Sequence, residues 1–170
     1  VKHVEGLGEM ALELALRVPE IALELGHGLD KVLERIEMTA KAEFGQYQSA
    51  QGPFPAWPEL AEATKDDRVH QGYAENEPLL RSGDTRDSVE RERDGLEGVV
   101  GSKDENLVFH EFGTATIPAR PVLGPAAFVN KGAIQRLVGA ALVAGLIGKT
   151  DLLPGGEVHE GLGYNMRTAD

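Results

Sequence analysis

Val18, Ile21, Ala22, Leu25, Leu29, Val32, Leu33 and Ile36 recur at the i, i+3, i+4, i+7 spacing. That spacing gathers them on one stripe of a helix, and a strand of period two cannot match it. One long amphipathic helix is therefore predicted over residues 19 to about 43. Pro19 falls in its first turn, where a missing N–H costs little, and a shorter helix precedes it. Gly26 and Gly28 lie inside this helix. Each costs about 1 kcal/mol relative to Ala, which marks either a weak point or a close packing contact.

The rest of the chain has to supply the surface that covers the stripe. Pro53, Pro55 and Pro58 around Phe54 and Trp57 predict a loop within residues 50–78, with one short helix in the charged run from Glu59 to Arg68. Asp94-Gly95 stands between TRDSVERER and LEGVVGSK, a signal for a hairpin over residues 85–101 with a type I′ turn. Val89 is the clear apolar position of its first strand, while Leu96, Gly98 and Val100 alternate on one face of the second. Two half-solvated strands are marginal alone, so the hairpin must lean on helices, further strands or a neighbouring subunit.

Pro125 opens a last helix, about 125–147, in which Ile134, Leu137, Val138, Ala141, Leu142 and Gly145 share a face and which Gly148 ends. From Thr150 on, Gly and polar residues without a period predict a flexible arm. The fold class is α+β: a long N-terminal helix and a small antiparallel β-sheet containing the 85–101 hairpin, packed against a C-terminal helix. One domain over residues 1–149 and a flexible C-terminal arm over 150–170 are expected.

Composition removes several functions. The chain of 170 residues has no cysteine, which excludes disulfides, Cys-ligated metals and a thiol nucleophile, and fits a reducing compartment. Its formal net charge of −11 opposes binding to the phosphate backbone, where affinity comes from Lys and Arg. The glutamates spaced through the first 25 residues break any apolar leader, and the uncharged run from Leu137 to Gly148 is short of the ~20 residues that span a bilayer. A soluble protein with no membrane contact is expected.

His110-Glu111 matches the opening of the HExxH zinc helix, but Thr114 stands where the second His belongs and Gly113 and Pro118 interrupt the helix. A metal-dependent hydrolase using His110 and Glu111 is thus an alternative whose ligand set is incomplete. Gly145 to Thr150 reads GLIGKT, yet Val143 occupies the first glycine position of a phosphate-binding loop, and a helix C-cap explains Gly148 and Lys149. The five histidines are scattered and no serine sits in a GxSxG elbow. No catalytic residue, cofactor site or metal site is assigned, and no enzymatic activity is expected. Arg81, Arg86, Arg91 and Arg93 alternate with Asp84, Asp87, Glu90 and Glu92. Mixed-sign charge on strands pairs across strands or subunits, so a salt-bridge lattice between subunits through Arg86 and Arg91 is preferred to nucleic acid.

Three blocks in order carry a family resemblance. LLRSGDTRDSV (Leu79 to Val89), VVGSKDENLVFHEFGT (Val99 to Thr114) and IPARPVLGPA (Ile117 to Ala126) resemble the L-x-x-(S/T)-G-x-L-x-x-S-(I/V) block, the strand, short helix and E-F-G-T turn, and the P-A-R-P-F-L-G-P-A loop of tail-completion and head-tail joining (virion morphogenesis) proteins of tailed bacteriophages. Trp57-Pro58 and Thr64 match an upstream W-x-x-L-x-x-x-T block, so the resemblance covers about residues 57–147. Thr85 stands where the family usually has Leu, Val122 where an aromatic is common, and the long acidic N-terminal helix has no counterpart in it.

The resemblance implies a non-enzymatic α+β subunit of a ring, commonly a hexamer, at the neck or head-proximal end of the tail. It would meet adjacent neck and tail proteins in the virion, be assembled in the host cytoplasm, and let DNA pass through the lumen without specific binding. A tail terminator acting in tail-length completion is the alternative role within the family. Subunit contacts would fall on the turn Glu111, Phe112, Gly113, Thr114 and on the loop residues Pro118, Arg120, Pro121, Leu123 and Pro125. Three prolines that fix φ lower the entropy lost when this loop docks. Arg120 between them has five donors for a neighbour's carboxylates or carbonyls.

Overall fold

The computed structural model describes residues 6–148, and the predicted arm lies outside them. Helix α1 (Leu7–Glu43) is followed by α2 (Glu62–His70), a helical turn α3 (Asp84–Asp87), the strands β1 (Val89–Asp94) and β2 (Glu97–Ser102), α4 (Glu105–Phe112), α5 (Leu123–Val129) and α6 (Lys131–Ile147). The α+β class follows. Among the described residues no helix is long and apolar enough to cross a membrane.

α1 is a single helix of 37 residues with Pro19 inside it, about 55 Å long at 1.5 Å per residue. This corrects the expectation that Pro19 opens the helix behind a separate shorter one. Pro19 removes the N–H that would bond the carbonyl of residue 15. Ala15 and Pro19 are both exposed, so water can take that carbonyl and the helix runs on.

Two layers pack on α1 from different sides. α6 lies along it so closely that a methyl at Gly28 would stand 2.6 Å from Ala141 Cβ, and one at Gly145 2.5 Å from Ile21 Cα. Gly28 is thus a contact point, as is Gly145 opposite. The close approach also decides which face of α6 is covered. Leu137, Ala141, Ala144 and Gly145 are buried along the seam, whereas Val138 and Leu142, expected on it, are 41% and 42% exposed. α6 ends at Gly148, φ 68, where an added methyl would lie 3.1 Å from the Arg17 guanidinium. The turns Leu7–Leu16 of α1 continue past that point, with Leu12 and Leu16 exposed.

The predicted last helix is broken in two at Asn130, φ −86 and ψ −2. Its buried side chain donates to Ala126 O (2.8 Å) and Thr39 Oγ1 (2.7 Å) and accepts from Arg35 Nε (2.7 Å). Asn competes in this way with the helical backbone and here ties the corner to α1.

The hairpin is a two-stranded antiparallel sheet in which Val89 pairs with Ser102 and Asp94 with Glu97. The loop residues are therefore Gly95 and Leu96, and of the two only Gly95 has positive φ (57°). A type I′ turn needs both positive; one positive φ at the first position is the pattern of type II′. Leu96 sits exposed in that turn rather than on the covered face, and residues 84–87 form α3 rather than the start of the strand. The hairpin leans on α1: Gly98 lies against Leu33, Arg93 Nε donates to Asp30 Oδ1 (2.7 Å) and Arg91 Nη1 to Glu37 Oε2 (2.9 Å).

Candidate functional site

The core gathers Ala40, Phe44, Trp57, Val89, Leu107, Val122 and Ala126. These come from the C-terminal part of α1 and from each of the four segments that carry the resemblance. Around this core the loop 117–124 is fastened from two sides.

On one side stands Glu111 of α4. Its Oε2 accepts from Val122 N (2.7 Å) and Leu123 N (3.1 Å), and its Oε1 from Gly124 N (2.9 Å). These are amides at the start of α5, which would otherwise have no partner, and a carboxylate there is further favoured by the helix dipole. On the other side Trp57 Nε1 donates to Pro121 O (3.1 Å), and the Arg120 guanidinium donates to Pro58 O (3.2 and 2.9 Å) and Glu59 O (3.1 Å). Arg120 N also donates to His110 O (2.7 Å).

Arg120 is 5% exposed and burial lowers its pKa. Its acceptors are carbonyls of its own chain. Arg91 bonds Glu37, Arg93 bonds Asp30, Arg81 bonds Asp67 (2.8 Å) and Arg86 bonds Asp87 (2.8 Å), all within the chain.

The turn after α4 is made by Gly113, φ 73, where a methyl would lie 2.9 Å from Ala119 N, so a side chain is excluded by both strain and space. Thr114 closes it, its N–H donating to Ile117 O (2.8 Å) and its Oγ1 accepting from Ile117 N (3.0 Å). Pro121 and Pro125 are buried and Pro118 is exposed. Phe112 is 80% exposed on the rim of an apolar groove of about 280 Å³ lined by Ser102, Leu107, Val108, Glu111, Phe112 and Leu123.

His110 and Glu111 do not form a metal centre. Both oxygens of Glu111 face amides. His110 Nδ1 is buried without a hydrogen-bond partner, and burial, then Arg120, lowers the pKa of the ring. Among the described residues no three His, Asp or Glu side chains gather as a metal-binding group.

One departure from the resembled pattern, Thr85, has a local explanation. Thr85 Oγ1 donates to Asp104 Oδ2 (2.6 Å), while Asp104 Oδ1 caps α4 by accepting from Asn106 N (2.9 Å). The Thr85 bond, then the cap, keeps the Asp104 carboxyl below its usual pKa. Val122 is fully buried.

Glu43 is the residue that sequence reasoning passed over. It is 5% exposed at the end of α1, its Oε2 has no hydrogen-bond partner, and burial, then the nearby Glu111, pushes its pKa up to about 8. Arg68 was also missed: buried, it donates to Ala74 O (2.7 Å) and Leu80 O and so holds the 74–80 loop. Neither carries a motif, although a charged residue in phase with the apolar stripe of α1 was the available signal for Glu43. No family model, curated protein or solved structure matches the chain.

Proposed function

We propose that this chain is a structural, non-catalytic subunit of a tailed-phage or phage-like particle, forming a ring at the neck or head-proximal end of the tail. One observation carries the reading. Glu111 and Arg120 hold the 117–124 loop rigid, while Phe112 beside it stands 80% exposed over an apolar groove. A large exposed aromatic next to a preorganised loop is a surface for another protein, and the Glu111 carboxylate is engaged in building it. The partner at this surface is an adjoining neck or tail protein, in a head-tail joining role or as a tail terminator.

The formal net charge of −11 suits a lumen through which DNA slides without adhering. Mass measurement and electron microscopy of the full chain should show a closed ring. Phe112→Asp should leave that ring intact and stop it from joining tails. Tails joined as by the original chain would overturn the docking role of this surface, and absence of any ring would overturn the proposal itself.

A further inference from the structure

The two layers on α1 sit almost back to back. At about 100° per residue, Gly26, Asp30, Leu33 and Glu37, which meet the hairpin, cluster roughly 165° around the helix from Ile21, Gly28, Arg35 and Thr39, which meet α6 and the Asn130 corner. The uncovered face of the hairpin and the uncovered face of α6 therefore look out from opposite sides of the subunit.

Their chemistry is complementary. Strand alternation directs Val89, Arg91 and Arg93 to α1 and leaves Glu90, Glu92, Asp94 and Glu97 on the outer face around Val99, which is 59% exposed. Lys103 borders this face. None of the four carboxylates bonds a described side chain, although every arginine behind them is paired. On α6 the outer strip of Val138, Leu142, Val143 and Leu146 is 38–47% exposed. No charged residue interrupts it between Arg136 and Gly148, and Lys131 and Arg136 flank its start. Neither of these cations bonds a described carboxylate.

We infer that the outer hairpin face of one copy docks on the outer face of α6 of the next, with Val99 against the apolar strip and the carboxylates against Lys131 and Arg136. This inference rests on the ring reading above and assigns its contact surfaces. Two different patches on opposite sides make a heterologous, head-to-tail contact, the kind that closes into a ring.

The test is a charge swap in the full chain, read by native mass and light scattering at about 0.15 M salt, where the mutual repulsion of acidic subunits is screened. Variant one is Glu92→Lys with Glu97→Lys; variant two is Lys131→Glu with Arg136→Glu. The substituted side chains bond nothing described, so both variants should unfold at the temperature of the original. Each alone should assemble roughly 10- to 100-fold more weakly, and an equimolar mixture should recover assembly as alternating subunits. Variants that each assemble like the original, or a mixture that stays dissociated, overturn the inference while the original's ring leaves the functional reading standing. An original chain that is monomeric at every concentration overturns both.

Discussion

Replacing Glu111 tests the central contact of the site. Its carboxylate accepts three backbone amides at 2.7, 3.1 and 2.9 Å. A hydrogen bond to a charged group contributes about 1.5–3 kcal/mol, and an amide left unpaired in a half-buried place costs about 1–3 kcal/mol. Three contacts to one group are not additive, so Glu111→Ala should lose about 3–5 kcal/mol, a large part of the ~5–15 kcal/mol that holds a typical domain together. Glu111→Gln keeps one acceptor oxygen and should lose about 1–2 kcal/mol. Glu43 modulates this: above pH 8 it is ionised, losing the Glu111 charge relieves repulsion, and the penalty of Glu111→Gln should shrink. Urea unfolding at pH 6 and pH 9, with an unchanged slope against denaturant, gives these numbers. A change within about 0.5 kcal/mol for Glu111→Ala, or equal losses for Ala and Gln, would refute the reasoning that the carboxylate fastens α5.

Glu43, whose pKa rises from 4.5 to about 8 on folding, binds its proton more tightly in the folded chain, so its stabilising contribution is complete below pH 4.5 and is lost as pH rises through about 8. At ~1.4 kcal/mol per pH unit the loss is capped at about 5 kcal/mol, and Glu43→Gln should remove that slope; a slope that persists in the variant would rule Glu43 out. Gly28→Ala should destabilise by about 1–2 kcal/mol despite its better helix propensity, because the methyl meets Ala141 at 2.6 Å. Gly139→Ala, with nothing within 4 Å, should stabilise by about 0.5–1 kcal/mol, and thermal unfolding of a dilute sample that ranks the two the other way would reject the packing account. Arg120→Lys, unable to span Pro58 O and Glu59 O with one ammonium, should lose about 1–3 kcal/mol in the same measurement; no loss would mean that the loop is held without it.

What the sequence disclosed was local. The stripe lies on one helix, α1, with Val32 and Leu33 buried although Val18 and Ala22 stay exposed; Asp94-Gly95 announced the hairpin, and Gly148 caps α6 with its left-handed backbone. What it concealed depends on partners distant along the chain. Pro19 is tolerated because of which way Ala15 faces, a property of the finished packing. Asn130 breaks the last helix because Thr39 and Arg35 are there to bond it, 91 and 95 residues away. The bonds of Arg120 to Pro58 and Glu59, 62 and 61 residues earlier, were illegible because no rule of spacing connects them. Glu111 was singled out as part of a turn, yet its office as the cap of α5 needed the fold of the loop between them.

The overhang of α1 gives the molecule two clocks for amide exchange. Among the described residues, Leu7–Leu16 run past the end of α6, and helix beyond the reach of tertiary packing is the part that opens first in water. Opening should spread inward and halt near Ile21, where Gly145 presses on the backbone, while amides between Val32 and Ala40 wait for global unfolding. The long rod is thus an anchored post with a loosely wound tip, and the tip is the portion that can be remoulded without disturbing what stands below.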